Sequence, residues 1–477
     1  MKRILCTLAL AAGLLWQADA REVVKLSGPG WKLWRDTAAQ WQSEHVVVPG
    51  TPLDQVTVHL PTGGWDALAK ADRKDVSVPG TVEQYFTDMS ALEKDYTIDP
   101  KEFWQPLQGV SWWSKEFKVD QDLTGKKVFL RFCALRFQAE IYLNHELVAC
   151  DSACDTEFTV DVTGKLKKGD TARLDVRITN PGGDYDWMDY IPFTWNGVKL
   201  NSGRAVGGIT GHVTLEITDP VYIDDVFVMN TPDPKTVEVR ITAVNDTGAD
   251  VEKECTVMLV QDNVPVMRAE VFKLKPGENL ISRKFTYENA ELWDLDNPNL
   301  YTMSVKLGDE SQDQTFGFRW FGPEGIGKDA MFRLNGKRIV LRSAISWGWW
   351  PVTGTIPLPE YAAKQIKAAK DFGMNMLNFH RHMGQNIVLD EADKQGLLYY
   401  AEPGGFISGS QSPEGRVIAK ERVRRMVKMF RSHPSLCIYN LINELGLGRE
   451  QHDMNWYSSM VSFTHQNDPS RIVVLTS

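Results

Sequence analysis

HPSLCIYNLINE, running from His433 to Glu444, is the stretch whose reading decides the fold. Leu436 to Leu441 is a mostly apolar run of strand length, the pattern expected when both faces of a strand are covered, as in parallel α/β sheets. Asn443 and Glu444 close the run with an amide and a carboxylate. From Gly322 onward, strand-like and helix-like patterns alternate around it, which predicts a (β/α)8 barrel. In such barrels the chemistry is assembled at the carboxyl ends of the strands, where a carboxyl group can be desolvated enough to keep its proton near neutral pH. The same two residues also suit a helix cap followed by a first-turn acid.

Working outward, Phe332 to Lys337 reads as a hairpin-like lead into a first barrel strand at Arg338–Leu341. Leu358–Phe372 follows as a helix, with Ala362, Ile366 and Ala369 on one face and Gly373 as its stop. Met374–Phe379 is the expected second strand, Asn386–Lys394 the second helix and Leu397–Tyr400 the third strand. Ser412-Pro413-Glu414 caps a helix through Phe430, striped by Val423, Met426, Val427 and Phe430. The opening stretch supplies strand four, then a helix near Asn455–Phe463 and a fifth strand at Arg471–Thr476. A complete barrel takes ~250 residues, so four units and the start of a fifth predict that roughly a hundred barrel residues lie beyond Ser477.

Upstream the pattern is strands alone. Lys126–Ala134, Ala139–Leu143 and Ala172–Ile178 are separated by turn signals, predicting a jelly roll over 21–220. A second all-β block over 221–320 has the size of an immunoglobulin-like sandwich, and 321–477 is the first half of the barrel. Residues 1–20 carry Lys2, Arg3, an apolar core and Ala18-Asp19-Ala20, the pattern of an export signal. The expected protein is therefore exported, with five cysteines in the mature chain; Cys150 and Cys154 are near enough in sequence to bridge.

The 477 residues are 43% hydrophobic and 24% charged, ordinary for globular material, and the net charge of −9 argues against nucleic acid or an anionic membrane as partner. No motif implies a cofactor. His380 and His382 flank one residue, but no third ligand accompanies them, so no metal is expected. Trp112 and Trp113 suit either sugar stacking or a core, and the area a tryptophan buries favours the core.

HPS, a hydrophobic strand and NE together resemble the acid/base signature of the family 2 glycoside hydrolases, the group of β-galactosidases, β-glucuronidases and β-mannosidases. GVSWWSKEF at 109–117, IYLNHELV at 141–148 and GGITGHVTLEI at 207–217 are similar to landmarks of that family's sugar-binding domain. WDLDNPNLY at 293–301, followed by FGFR at 316–319, is similar to the segment that leads into its barrel. The resemblance implies an exo-acting retaining β-glycosidase acting on terminal β-linked sugars, of β-galactosidase or β-glucuronidase type. Such enzymes use two carboxyl groups ~5–5.5 Å apart. It further implies that Glu444 is the acid/base and that Asn443 binds a sugar hydroxyl. The nucleophile would be a second glutamate after strand five, so the 477-residue chain alone is expected to be inactive.

Glu402, His380, Arg381, His382 and Trp349 are the other expected substrate-binding residues. Family members commonly have an arginine near position 378, where this chain has Asn378. Arg381 suits either the carboxylate of a uronic acid or an ion pair with Glu402. A non-catalytic carbohydrate-binding or scaffold protein is the alternative reading.

Overall fold

Lys127–Phe132 alternates cleanly, with Val128, Leu130 and Phe132 turned inward, and such alternation makes one half of a two-sheet sandwich. The computed structural model describes residues 21–87, 107–182, 193–200, 206–260, 266–348, 350, 356–404, 412–442 and 451–475. In the amino-terminal block a four-stranded antiparallel sheet runs in the order Glu22–Lys25, Val213–Thr218, Lys127–Phe132, Phe158–Asp161. A six-stranded antiparallel sheet faces it, with Gly109–Lys118 and Thr171–Asn180 as its central pair. Trp31, Leu33, Trp113, Leu130, Ile141, Leu174 and Leu215 fill the space between them. Trp112 points the opposite way and packs with Leu68 and Tyr142. Both tryptophans are fully buried, so they are core residues and not sugar platforms.

The next block pairs a three-stranded sheet (Val221–Asn230, Thr236–Asn245, Gly277–Thr286) with a four-stranded one built on Val251–Val260 and Tyr301–Leu307. Ile223, Val239, Ile241, Val257, Met303 and Val305 lie between them. This is the immunoglobulin-like sandwich.

The five cysteines of the described residues are all free thiols, so the neighbours Cys150 and Cys154 do not bridge. Cys150 stands in a β-ladder opposite Glu140, whereas Cys154 is packed among Val46, Phe137, Trp195 and Ile418.

The barrel begins later than the sequence suggests. Asn335 and Gly336 take left-handed conformations (φ 53° and 78°) and fold Lys337–Ile339 back against Met331–Leu334. Arg338 and Ile339 are thus spent on an antiparallel hairpin beneath the barrel. The first parallel strand is β1, Ser343–Ser346, followed by β2 (Met376–Phe379), β3 (Leu398–Ala401), β4 (Leu436–Asn440) and β5 (Ile472–Val474), paired in sequential order. Between them run helices α1 (Pro359–Asp371), α2 (Asn386–Gln395), α3 (Pro413–Phe430) and α4 (Gln451–Asn467). Pro359 opens α1 and Ala362, Ile366 and Ala369 are its buried face. Ser412 Oγ accepts the Gly415 amide at the start of α3, and Gly396 closes α2 at φ 74°.

Strand parity then sorts the side chains. Leu377, Phe379, Tyr399 and Tyr439 pack outward against the helices, while Met376, Leu398 and Ile438 join Phe321 and Leu334 of the hairpin inside. Trp293 belongs to this inner cluster, is fully buried and donates its indole N–H to Asp393 O at 2.8 Å. The sandwich is therefore pinned to the barrel by a side chain of its closing segment. Among the described residues no helix is long and apolar enough to cross a membrane.

Candidate active site

Two residues past each inward apolar position the barrel interior turns polar, as period-two strands require. Asn378 of β2 lies beside Tyr400 of β3, and its amide donates to the phenol oxygen at 2.5 Å. Asn440 ends β4 and donates to Glu402 Oε1 at 3.1 Å. The Arg381 backbone N–H donates to the other oxygen, Oε2, at 2.7 Å. Arg381 itself is left-handed (φ 58°), so this bond holds the chain in a turn that a side-chain-bearing residue rarely adopts. His380 Nδ1 stands 3.7 Å from Glu402 Oε1 and 3.4 Å from Asn378 Nδ2. Among the described residues, the Oδ1 atoms of Asn378 and Asn440 are buried with no hydrogen-bond partner. Such acceptors are suited to the hydroxyls of a sugar.

Glu402 is 1% exposed. Burial pushes its carboxyl up to about 7, against the weaker pull of the Arg381 amide, the Asn440 amide and the Arg381 charge. Glu402 supports the Arg381 turn from below. The unfolded chain ionises this group near its ordinary value of 4.5, the folded chain near 7. Between those values the folded state holds the extra proton, so stability falls as pH rises and the loss is complete above 7. Glu402→Gln should remove that dependence: the stability difference between pH 5 and pH 8 should shrink by an amount on the order of 3 kcal/mol relative to the parent chain. Urea denaturation at the two pH values checks it, and parallel pH profiles for the two chains would refute it.

Above this layer a cleft separates the barrel mouth from the jelly roll. Arg381, His382, Met383, Ser346, Gly348, Trp350, Gly404 and Arg422 line it from the barrel side, Arg136 and Asp155 from the jelly roll. Arg136 is paired with Asp155, and Arg422 Nη2 approaches the same carboxylate at 4.0 Å. Two glycines make the wall possible. A Cβ on Gly404 (φ 83°) would lie 2.4 Å from Arg422 Nη2, and one on Gly348 (φ 60°) would lie 2.0 Å from the His382 ring. The Arg381 guanidinium carbon sits 5.8 Å from the centre of the Trp347 ring, and Trp347 meets His380 edge-on at 4.5 Å.

The expected site residues therefore divide. Arg381 and His382 line the cleft, His380 and Glu402 stand beneath it, and Trp349, Asn443 and Glu444 lie outside the described residues. Asn440, Tyr400, Arg136, Asp155 and Arg422 were not singled out from the sequence. An asparagine ending the apolar run Leu436–Tyr439 was a usable signal for the first; nothing local marks the others.

The two nitrogens of His382 face Met383 O (3.0 Å) and Ser346 O (3.2 Å), so the ring is turned to the backbone. Elsewhere among the described residues, Glu44, His59 and Glu140 have ligand atoms close together, but Arg177 already bonds both carboxylates. Asp390, Asp393 and His433 form a second such group, in which His433 Nδ1 is 2.6 Å from Asp393 Oδ2 and the Ser435 amide donates to Asp393 Oδ1. That group ties α2 to the start of β4.

Comparison with known proteins matches the three blocks to three family models. Residues 65–186 match the glycosyl hydrolase 2 galactose-binding domain-like model, 221–319 the glycosyl hydrolases family 2 model and 328–477 the family 2 TIM barrel domain. A β-galactosidase of Thermoanaerobacter pseudethanolicus is 29% identical over 373 residues, covering 76% of this chain and 48% of that protein. A β-glucuronidase of Bacteroides fragilis is 22% identical over 391 residues, covering 76% and 54%. The chain thus spans about half the length of the curated relatives it matches. Among solved structures, a Bacteroides uniformis β-glucuronidase superposes with a TM-score of 0.73 at 19% identity, over 95% of this chain and 52% of that one. A β-galacturonidase from Eisenbergiella tayi does so at 0.70 and 19%, over 95% and 71%. Three consecutive modules, matched in order by models of one group, identify the chain as a member of glycoside hydrolase family 2.

Proposed function

We propose that this chain belongs to an exported, exo-acting retaining β-glycosidase of β-galactosidase or β-glucuronidase type. Glu444 is the acid/base, Asn443 binds the hydroxyl beside the anomeric carbon, and the nucleophile is a second glutamate on a later barrel strand. The observation that carries the reading is the convergence of Arg381, Glu402 and Asn440 at the carboxyl ends of β2, β3 and β4. Active sites of (β/α)8 enzymes sit at that end, and positions 443 and 444 follow β4 in the sequence. In a retaining reaction the acid protonates the leaving oxygen while the nucleophile attacks the anomeric carbon, and the same group then activates water to release the sugar. Arg381 and His382 orient the substrate from the cleft wall.

Nitrophenyl β-galactoside, β-glucuronide and β-mannoside test the proposal, using a chain expressed from Arg21. The full-length polypeptide should hydrolyse at least one of them, and the 477-residue chain none efficiently. Turnover by the 477-residue chain that disappears in Glu444→Gln would show that both carboxylates lie within it, and binding without turnover by the full-length protein would favour the non-catalytic alternative.

A further inference from the structure

The two sheets of the immunoglobulin-like sandwich are joined at one margin and part at the other. At the first, the Ile223 amide of one sheet donates to Glu310 Oε2 of the other at 2.9 Å. At the second, the edge strands Val266–Leu274 and Gly277–Thr286 stand on either side of a cavity of about 520 Å3, lined by Phe272, Ile281 and Phe285. Among the described residues each edge strand pairs with one neighbour only, Val251–Val260 and Thr236–Asn245 respectively. One row of backbone N–H and C=O groups on each is therefore open to another strand.

Val266–Leu274, VMRAEVFKL, has two unlike faces. Arg268 and Glu270 lie opposite Val257 and Cys255, whose side chains are core, so both charges turn to the inner face of the sheet. Neither is used up there. Arg283 bonds Glu270 through Oε2 alone, and Arg268 bonds through Nη1 alone, to the Lys284 carbonyl at 3.3 Å. Among the described residues Glu270 Oε1 and Arg268 Nη2 have no hydrogen bond. The outer face carries Met267 and Val271, 57% and 60% exposed, with Ala269 between them.

Charges on the inner face of an edge strand hinder pairing with an arbitrary strand, which sets nothing complementary opposite them. The same strand from a second copy does match. Laid antiparallel with the two Ala269 residues opposite each other, Arg268 faces Glu270 of the partner subunit and Met267 faces Val271 of the partner subunit. Opposite residues of an antiparallel pair share a face, so opposite charges meet on the inner side and apolar side chains on the outer. Centring the pair on Arg268 or on Glu270 instead would set like charges against each other, which fixes the register.

We propose that Val266–Leu274 is a self-association edge, through which two copies of the protein join so that the four-stranded sheet of one sandwich runs on into that of the other. The proposal stands independently of the glycosidase reading. It assigns the surface, the partner and the register.

Sedimentation velocity of the full-length protein over ~1–100 μM tests it, and a concentration-dependent monomer–dimer equilibrium is expected. Arg268→Glu and Glu270→Arg should each weaken the dimer at least ~10-fold, because each sets two like-charged pairs across the axis. Mixed in equal amounts, the two variants should dimerise again, since in the mixed pair every charge at 268 meets its opposite at 270. A variant that is merely misfolded is not rescued by mixing. The register has its own probe. Ala269→Cys should form a disulfide-linked dimer on oxidation, because opposite residues of antiparallel strands lie within disulfide reach. Lys273→Cys should not, since the same register sets it far from its own mate. A protein that stays monomeric throughout the range, a dimer indifferent to both charge reversals, or equal cross-linking at 269 and 273 overturns the proposal.

Discussion

Glu444→Gln, made in the full-length polypeptide, is expected to lower kcat on an alkyl or sugar-linked β-glycoside by at least ~100-fold, the range a positioned general acid supplies. The leaving oxygen of such substrates departs as a poor anion and needs the proton. A dinitrophenyl glycoside departs without it, so for that substrate the first step should survive and the second, in which the same group removes a proton from water, should become limiting. A burst of dinitrophenolate followed by a slow steady rate is the expected trace. Azide, a nucleophile that needs no general base, should speed the slow phase and yield a glycosyl azide. Equal losses on both substrates, with no burst and no azide effect, would refute the acid/base role.

Trp293→Ala is expected to cost about 4 kcal/mol of stability, in the range for deleting a fully buried tryptophan. The indole sits in the inner cluster with Phe321, Leu334, Met376, Leu398, Cys437 and Ile438, and the cavity it leaves is walled by strands that cannot collapse independently. The lost donor to Asp393 O adds to the cost. Trp293→Phe keeps most of the packing and loses the N–H, so it should cost about 1–2 kcal/mol. Gly317→Ala probes the same contact from the other side: the added Cβ would lie 2.7 Å from the Trp293 Cβ and 3.0 Å from the Pro434 Cβ. Denaturant titrations in which all three variants match the parent midpoint would show that the sandwich rests loosely on the barrel.

Much of the architecture was legible because it is written in periodicity. The buried face of α1, the cap at Ser412, and the strands β2 to β5 follow from apolar spacing and from glycine, serine and proline at element ends. The first barrel strand was misread because Arg338–Leu341 has strand character on either side of the real boundary. Only the left-handed pair Asn335-Gly336 reveals that these residues turn back on the preceding strand.

At the site, the candidate residues from one short stretch were found together: His380, Arg381 and His382 follow β2, and Glu402 follows β3. Which of them face the cleft depends on how Glu402 grips the Arg381 amide, a contact across 21 positions. The contribution of Arg136 and Asp155 depends on how the jelly roll docks, which no local pattern encodes. Whether Cys150 and Cys154 bridge was open in the sequence for a similar reason: proximity says nothing about the ladder and the cluster that give them different surroundings.

Asp393 receives the indole of the sandwich on its carbonyl and, through its carboxylate, holds His433 and Ser435 at the root of β4. One residue of α2 is thus shared between a neighbouring module and the strand that precedes position 444 in the sequence. A barrel excised from Gly322 onward would carry away an orphaned carbonyl and a hole the shape of an indole, directly behind that strand. Module exchange among relatives should therefore transplant the sandwich's final segment together with the barrel, since the seam between the two is not where the chain changes its grammar.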